Sequence, residues 1–245
     1  MPDGSRRASA RALHLWTTTA DTPPQRARGA AADPSSWACH YDTRVPHPLV
    51  RRIVRSAAAW FTHLLRLAPA GTQLTAAERD ALERHARGRR TLVEIGVYHG
   101  ASTARLARVM APGATLTAID PYPTGRLGVS FERMVALREV ARAPSAGVVR
   151  WLRATSHDAA AQFSGLADFV FVDGDHSWDG IARDWDDWSS RVAPRGVIVL
   201  HDSRSVPTRP DLDSVRFTTD VVARDARFRE VESVASLSVW ERLPG

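Results

Sequence analysis

The chain has 245 residues, 44% hydrophobic and 24% charged, which suits a folded globular protein and excludes a disordered or fibrous one. No apolar run approaches the roughly 18 residues of a membrane span, and residues 1 to 25 lack a secretory apolar segment, so the expected location is the cytoplasm, with no membrane partner. There is no Lys and no Asn, and all 33 basic side chains are Arg; amine-based chemistry is therefore excluded, and acid/base work falls to His, Asp, Glu, Tyr or the single Cys39, which has no disulfide partner in the chain.

The formal charge of +6 is unevenly spread. Residues 1 to 90 hold 15 Arg against 7 acidic residues, whereas residues 91 to 245 hold 18 against 20. A basic arm can bind polyanions, but such arms are more often solvated or docked on a partner subunit, and the domain that follows is not basic. Nucleic acid is thus a secondary expectation.

Residues 1 to about 35 are rich in Ala, Arg, Thr, Ser and Pro and read as a mobile arm. Between Pro48 and Leu67, the residues Val50, Ile53, Val54, Ala57, Phe61, Leu64 and Leu65 recur at helical spacing, an amphipathic face suited to covering the main domain or forming a homodimer. Residues 1 to 73 are accordingly expected as an arm plus helix, and residues 74 to 245 as the main domain. Gly71 ends the first helix, and Thr75 followed by Glu78 is a capping-box signature for a second, reaching about His85.

Beyond Arg90, short β-rich runs alternate with helical stretches, the mark of a parallel sheet. Strands are expected at Thr91 to Ile95, Thr115 to Ile119, Val148 to Leu152, Asp168 to Val172 and Val197 to Leu200. Phe228 to Val234 and Leu237 to Arg242 read as an antiparallel edge hairpin. The fold class is therefore α/β, a doubly wound, mostly parallel seven-stranded Rossmann-like sheet with a C-terminal hairpin.

Ligands of such sheets sit beyond the carboxyl ends of the strands. The first strand leads into Gly96-Val97-Tyr98-His99-Gly100, a turn that alone is weak evidence of a ligand, its alternative being a tight strand-to-helix connection. Asp120, 24 positions after Gly96, stands near the roughly 20-residue offset of a ribose-binding carboxylate, and the pair indicates a nucleoside site. Tyr98 occupies the central Gly position of a dinucleotide turn, which argues for a nucleoside without phosphates. The fourth strand delivers Asp173-Gly174-Asp175-His176, and the fifth ends His201-Asp202-Ser203. Carboxylates from neighbouring strand ends make a hard-oxygen site suited to Mg²⁺. Trp185 and Trp188 read as core, Asp184, Asp186 and Asp187 as a solvated helix face, and Tyr122 as a further wall of the site.

These motifs resemble those of class I S-adenosylmethionine-dependent methyltransferases, and most of all the catechol- and caffeoyl-CoA-type O-methyltransferases and bacterial natural-product methyltransferases with Asp-Gly-Asp-His after strand four. The resemblance spans roughly Leu74 to Leu243. It implies that Glu94, Gly96, Tyr98 and Gly100 line the methionine half of the cofactor, that Ser102 bonds its carboxylate, and that Asp120 holds the ribose. Ser156 and His157 would stand beside the adenine, with helix capping the alternative for Ser156 and Asp158. Asp173 and Asp202 would hold Mg²⁺ together with a substrate hydroxyl. Ser203 replaces an Asn ligand of that family, so His201 or Asp175 would complete the set, or no metal would be used. His176 stands where the metal-dependent relatives carry a Lys and is the expected base; its alternative is to orient Asp173 or Asp202, leaving Asp173 or Asp175 as base. The implied activity is O-methylation of a small hydroxylated molecule, a natural product or a sugar. The alternatives are nucleic-acid modification or binding through the arm, and a methyltransferase fold with altered chemistry.

Overall fold

The computed structural model describes residues 70–124, 128–209 and 211–245, with positions 58, 60–62 and 65. The chain divides between residues 45 and 46, and everything described belongs to the second part. The expected arm lies outside the described residues, as does most of the expected helix between Pro48 and Leu67, its homodimer face included; positions 58 and 60–62 are helical.

Seven strands form one sheet in the order β3-β2-β1-β4-β5-β7-β6. They are β1 (Thr91–Ile95), β2 (Thr115–Ile119), β3 (Val148–Leu152), β4 (Ala167–Val172), β5 (Val192–Leu200), β6 (Phe228–Val234) and β7 (Leu237–Arg242). β1 to β5 pair in parallel, and β7 runs antiparallel to both β5 and β6. This is the expected doubly wound sheet with its hairpin. β5 starts five residues before the expected Val197, because Val192 pairs with Ala167 across a register shift.

The helices are α1 (Ala76–Ala86), α2 (Ala101–Val109), α3 (Phe131–Arg142), α4 (Ser156–Gln162), α5 (Trp178–Trp188) and α6 (Asp213–Asp220). Alternation along each strand divides the core into two layers. Leu92, Leu116, Phe169, Phe171 and Val199 pack with Leu82 of α1 and Leu106 of α2. Val93, Ile95, Val170, Val172 and Ile198 face the opposite way, onto Ile181, Trp185 and Trp188 of α5 and Phe217 of α6. Both tryptophans are buried, as expected. No helix among the described residues is long and apolar enough to cross a membrane.

Helix starts follow local chemistry. Thr75 and Glu78 form the expected reciprocal box, Thr75 N–H donating to Glu78 Oε2 at 2.7 Å. Glu78 does more than cap: its Oε1 accepts from both the amide and the hydroxyl of Ser236 in the hairpin turn, tying α1 to β6 and β7.

Candidate active site at the carboxyl rim of the sheet

The ladder extends one residue past several strands and thereby places the rim. Gly96 N–H donates to Ile119 O, Asp173 N–H to Ile95 O, and His201 N–H to Val172 O, at 2.8 to 3.0 Å. Three residues of interest are thus held by backbone hydrogen bonds rather than by loop packing.

At the β1 and β2 ends, Gly96 has φ +82° and Gly100 φ +76°. A Cβ on Gly96 would lie 2.1 Å from Asp173 O, and one on Gly100 would press on Ala136 of α3 at 3.0 to 3.1 Å. Both glycines therefore serve close packing of the chain against itself, beyond any approach to a ligand. Asp120 is placed by main-chain amides: Oδ2 accepts from Val97 and Tyr98 at 3.0 and 3.1 Å, and Oδ1 from Tyr122 at 2.8 Å. Tyr98 is half exposed and stacks on His99. Tyr122 forms an inner wall, buried, with its hydroxyl donating to Tyr98 O; burial and the nearby Asp120 charge push its phenol up.

Glu94 lies beneath this turn, fully buried. Its Oε1 accepts from Ser102 Oγ at 2.5 Å, while Oε2 and the neighbouring Thr103 Oγ1 have no hydrogen-bond partner. The one hydroxyl proton of Ser102 is thus committed to Glu94, not free for a cofactor carboxylate. The N-terminus of α2 remains: Gly100 supplies no side-chain cap, so the first-turn amides are available to an anion. Uncapped amides beside an unpaired buried acid fit the amino-acid end of S-adenosylmethionine, carboxylate to the helix and ammonium to the acid.

At the β4 and β5 ends, Asp173 Oδ1 is 2.8 Å from His201 Nδ1. His176 Nε2 stands 3.7 Å from Asp173 Oδ1 and 3.7 Å from Asp202 Oδ2. His201 is buried, which works against its charged form, but the hydrogen bond to Asp173 and the charges of Asp173, Asp202 and Glu78 outweigh burial and raise its pKa. Asp202 is buried, holds φ +49°, and pairs through Oδ2 with Arg209 Nη1.

The donor set decides which metal would fit. Asp173, His176 and His201 offer ligand atoms within 4.8 Å of one another, one carboxylate and two imidazoles, whereas Asp202 is engaged by Arg209. Mg²⁺ favours oxygen ligands, so this set does not fit it well; two imidazoles suit a borderline transition ion.

The remaining expected residues lie elsewhere. Asp175 accepts from Ser177 N–H at the start of α5, a bond that holds its carboxyl below the usual range. Ser203 is buried and bonds Leu200 O and Ser238 Oγ, away from the cluster. Ser156 accepts from Trp188 Nε1, and His157 pairs with Asp187. The cap of α4 is Thr155, not Ser156 or Asp158, because Thr155 Oγ1 accepts from Asp158 N–H. Asp184 is buried rather than solvated, and burial pushes its carboxyl up to about 6. Its position was readable: Ile181, Asp184, Trp185 and Trp188 follow the i, i+3, i+4, i+7 stripe of a buried helix face. The pairing of Arg209 with Asp202 had no local signal.

The family described as "Methyltransferase domain" matches residues 93–203, which run from β1 to the end of β5. Among solved structures, the O-methyltransferase TomG of Streptomyces achromogenes, involved in tomaymycin synthesis and complexed with SAM, is 20% identical, with a TM-score of 0.56 over 77% of this chain and 89% of its own. The O-methyltransferase of Bacillus cereus, in complex with SAH, is 18% identical, with a TM-score of 0.55 over 83% and 94%. Cofactor-bound Rv0187 from MTB is 19% identical, with a TM-score of 0.58 over 81% and 99%. No curated protein matches the chain. The family match thus covers the span from β1 to just past β5, and what the chain shares with these structures is the fold, a mostly parallel seven-stranded sheet with an antiparallel C-terminal pair.

Proposed function

We propose that the protein methylates a hydroxyl oxygen of a small molecule, a natural product or a sugar, with His176 as the base. The observation that carries this is the placement of His176: part-exposed and equidistant from Asp173 and Asp202, on a loop whose Asp173 carbonyl packs directly against Gly96 of the cofactor turn. Proton acceptor and cofactor turn thus share a wall.

S-adenosylmethionine supplies an activated methyl on a sulfonium. The protein's share is to seat that donor, with Asp120 at the ribose and Ser156 and His157 at the adenine edge, and to prepare the nucleophile. The acceptor O–H breaks, its proton goes to neutral His176 Nε2, and oxygen takes the methyl as the carbon–sulfur bond opens. Asp173 and Asp202 stabilise the imidazolium that results. His201, bonded to Asp173, orients that carboxylate. No step requires Mg²⁺. The partner is a small molecule rather than nucleic acid, since residues 91 to 245 carry no basic excess.

Calorimetry with S-adenosylmethionine and S-adenosylhomocysteine tests the first half: folded protein that binds neither ends this reading. Turnover on a panel of phenols and sugars tests the second. His176→Ala should lose about 10²-fold or more in turnover with cofactor affinity unchanged, and wild-type turnover in that variant would remove His176 as base.

A further inference from the structure

The loop after β5 carries two arginines near the rim, and they do different things. Arg204 is taken by the hairpin: it pairs with Glu230 of β6 and lies over the Trp240 ring of β7, 5.6 Å from its centroid. Arg209 returns to the strand end. Its N–H donates to Val206 O at 2.9 Å, closing a short turn, and its Nη1 donates to Asp202 Oδ2. The carboxylate it meets is fixed in place: the Asp202 side chain is 3% exposed, its carbonyl accepts from Ser214 Oγ of α6 at 2.6 Å, and the next amide bonds Ser236 O in the hairpin turn.

This pair decides what the rim can hold. The oxygen that Arg209 takes is the one 3.7 Å from His176 Nε2, while Oδ1 stands 3.7 Å from His201 Nε2. A guanidinium stays charged at every working pH and bonds a carboxylate strongly. A hard dication would have to break that bond and then sit beside a fixed positive charge. The buried Asp202 charge needs a cation nearby, and the chain supplies one of its own. Arg209 also has capacity to spare. Its side chain is 40% exposed, and among the described residues its only other partner is Gln73 Oε1 at 3.3 Å, so further N–H groups can meet a ligand.

We propose that Arg209 stands in for a divalent cation at this rim: its guanidinium keeps Asp202 out of metal ligation and offers its remaining N–H groups to the acceptor oxygen, beside His176. The proposal rests on the methyltransferase reading of the site. No bond to Arg209 is made or broken covalently. The acceptor proton passes to His176 Nε2, the oxygen takes the methyl, and the guanidinium keeps its charge throughout.

Calorimetric titration of the full-length protein with Mg²⁺ tests the first half without turnover. Wild type should give no saturable heat in the millimolar range. Arg209→Met should bind Mg²⁺ at least about tenfold more tightly, and Asp202→Asn added to it should abolish the gain. Saturable Mg²⁺ binding in wild type, none in folded Arg209→Met, or a gain that survives Asp202→Asn would each overturn the proposal. If Arg209→Met does not fold, wild type decides alone by refusing or taking Mg²⁺. Turnover on an acceptor from the phenol and sugar panel tests the second half. Wild type should work undiminished in chelator, and Arg209→Met should lose about tenfold or more and regain part of it with Mg²⁺, which a merely structural role would not allow. Wild type that needs Mg²⁺, or a loss that Mg²⁺ leaves untouched, overturns the substitution of charge. Failure of all these proteins to bind S-adenosylmethionine takes down the methyltransferase reading instead, and the Mg²⁺ titration is judged apart from it.

Discussion

The two halves of the rim are built on different principles. At the β1 and β2 ends, groups are held by the main chain: Asp120 by three amides, Gly96 and Gly100 by contact with neighbouring backbone. At the β4 and β5 ends, side chains hold one another across the sheet, Asp173 with His201, His176 between two carboxylates, and Asp202 with Arg209. Backbone bonds do not titrate and cannot rotate away, which suits the proposed seat of one invariant donor. Side-chain pairs exchange protons and partners, which suits the proposed site of proton transfer. Each half should therefore fail in its own way.

The largest effect is expected on the backbone-held side. Gly96→Ala combines a left-handed φ with a Cβ inside the Asp173 carbonyl and should cost about 3 kcal/mol or more in stability. Gly113, at φ +72° with no atom within 4 Å of where a Cβ would stand, gives the control: its Ala variant meets strain alone and should lose about 1 kcal/mol. Thermal denaturation of the pair measures this, and equal losses would show that the Gly96–Asp173 wall yields easily.

Glu94 is the exception on that side, an acid under the turn without a main-chain partner. Its folded pKa of about 8 lies above the ordinary 4.5, so folding favours the protonated form. The stability this provides is full below about 4.5 and is lost as the pH rises through 8. The melting temperature of wild type minus that of Glu94→Gln should therefore fall between pH 5 and pH 9. Asp184, raised to about 6, acts in the same sense but is common to both proteins and cancels. A difference independent of pH would mean that Glu94 ionises freely in the folded chain.

On the side-chain-held half, Zn²⁺ or Co²⁺ should bind about 100-fold more tightly than Mg²⁺ and inhibit, because an ion held by Asp173, His176 and His201 takes the lone pair that the proposed base uses. His201→Gln should weaken that binding. Mg²⁺ that bound more tightly and raised turnover would show that Asp202 leaves Arg209 to become a ligand, and the contrast between the halves would soften.

The same contrast explains what was legible in the sequence. Strands, the hairpin, the Thr75–Glu78 box and the Gly96 turn depend on neighbours a few residues apart, and apart from the early start of β5 they stand where their patterns placed them. Asp202 meets Arg209, and Asp173 meets His201, only because the chain has folded, and residue types alone do not choose between a metal ligand and an ion pair. Asp184 falls between these cases, since its place on the apolar stripe of α5 was readable while its burial ran against residue type. Ser203 stands one residue past Asp202, yet its side chain turns to the hairpin, because the chain turns beyond β5 at Asp202, φ +49°, and Ser203 then bonds Ser236 O and Ser238 Oγ.

The smallest effect separates capping from cofactor contact at α4. Thr155 Oγ1 accepts from Asp158 N–H and donates to its carboxylate at 2.7 Å, so Thr155→Ala removes the cap and should cost about 1 kcal/mol of stability. Ser156→Ala leaves that cap intact and takes a hydrogen bond from the buried Trp188 indole instead. His157 is largely exposed, and its pairing with Asp187 is of the kind that contributes little. Its Ala variant should keep stability within about 0.5 kcal/mol, so any change in cofactor affinity can be read as contact with the adenine. Because His157 is exposed and mobile side chains lose entropy on docking, that change should stay below about threefold. A larger loss would move part of the cofactor's hold from the backbone-built end of the rim to the side chains of α4.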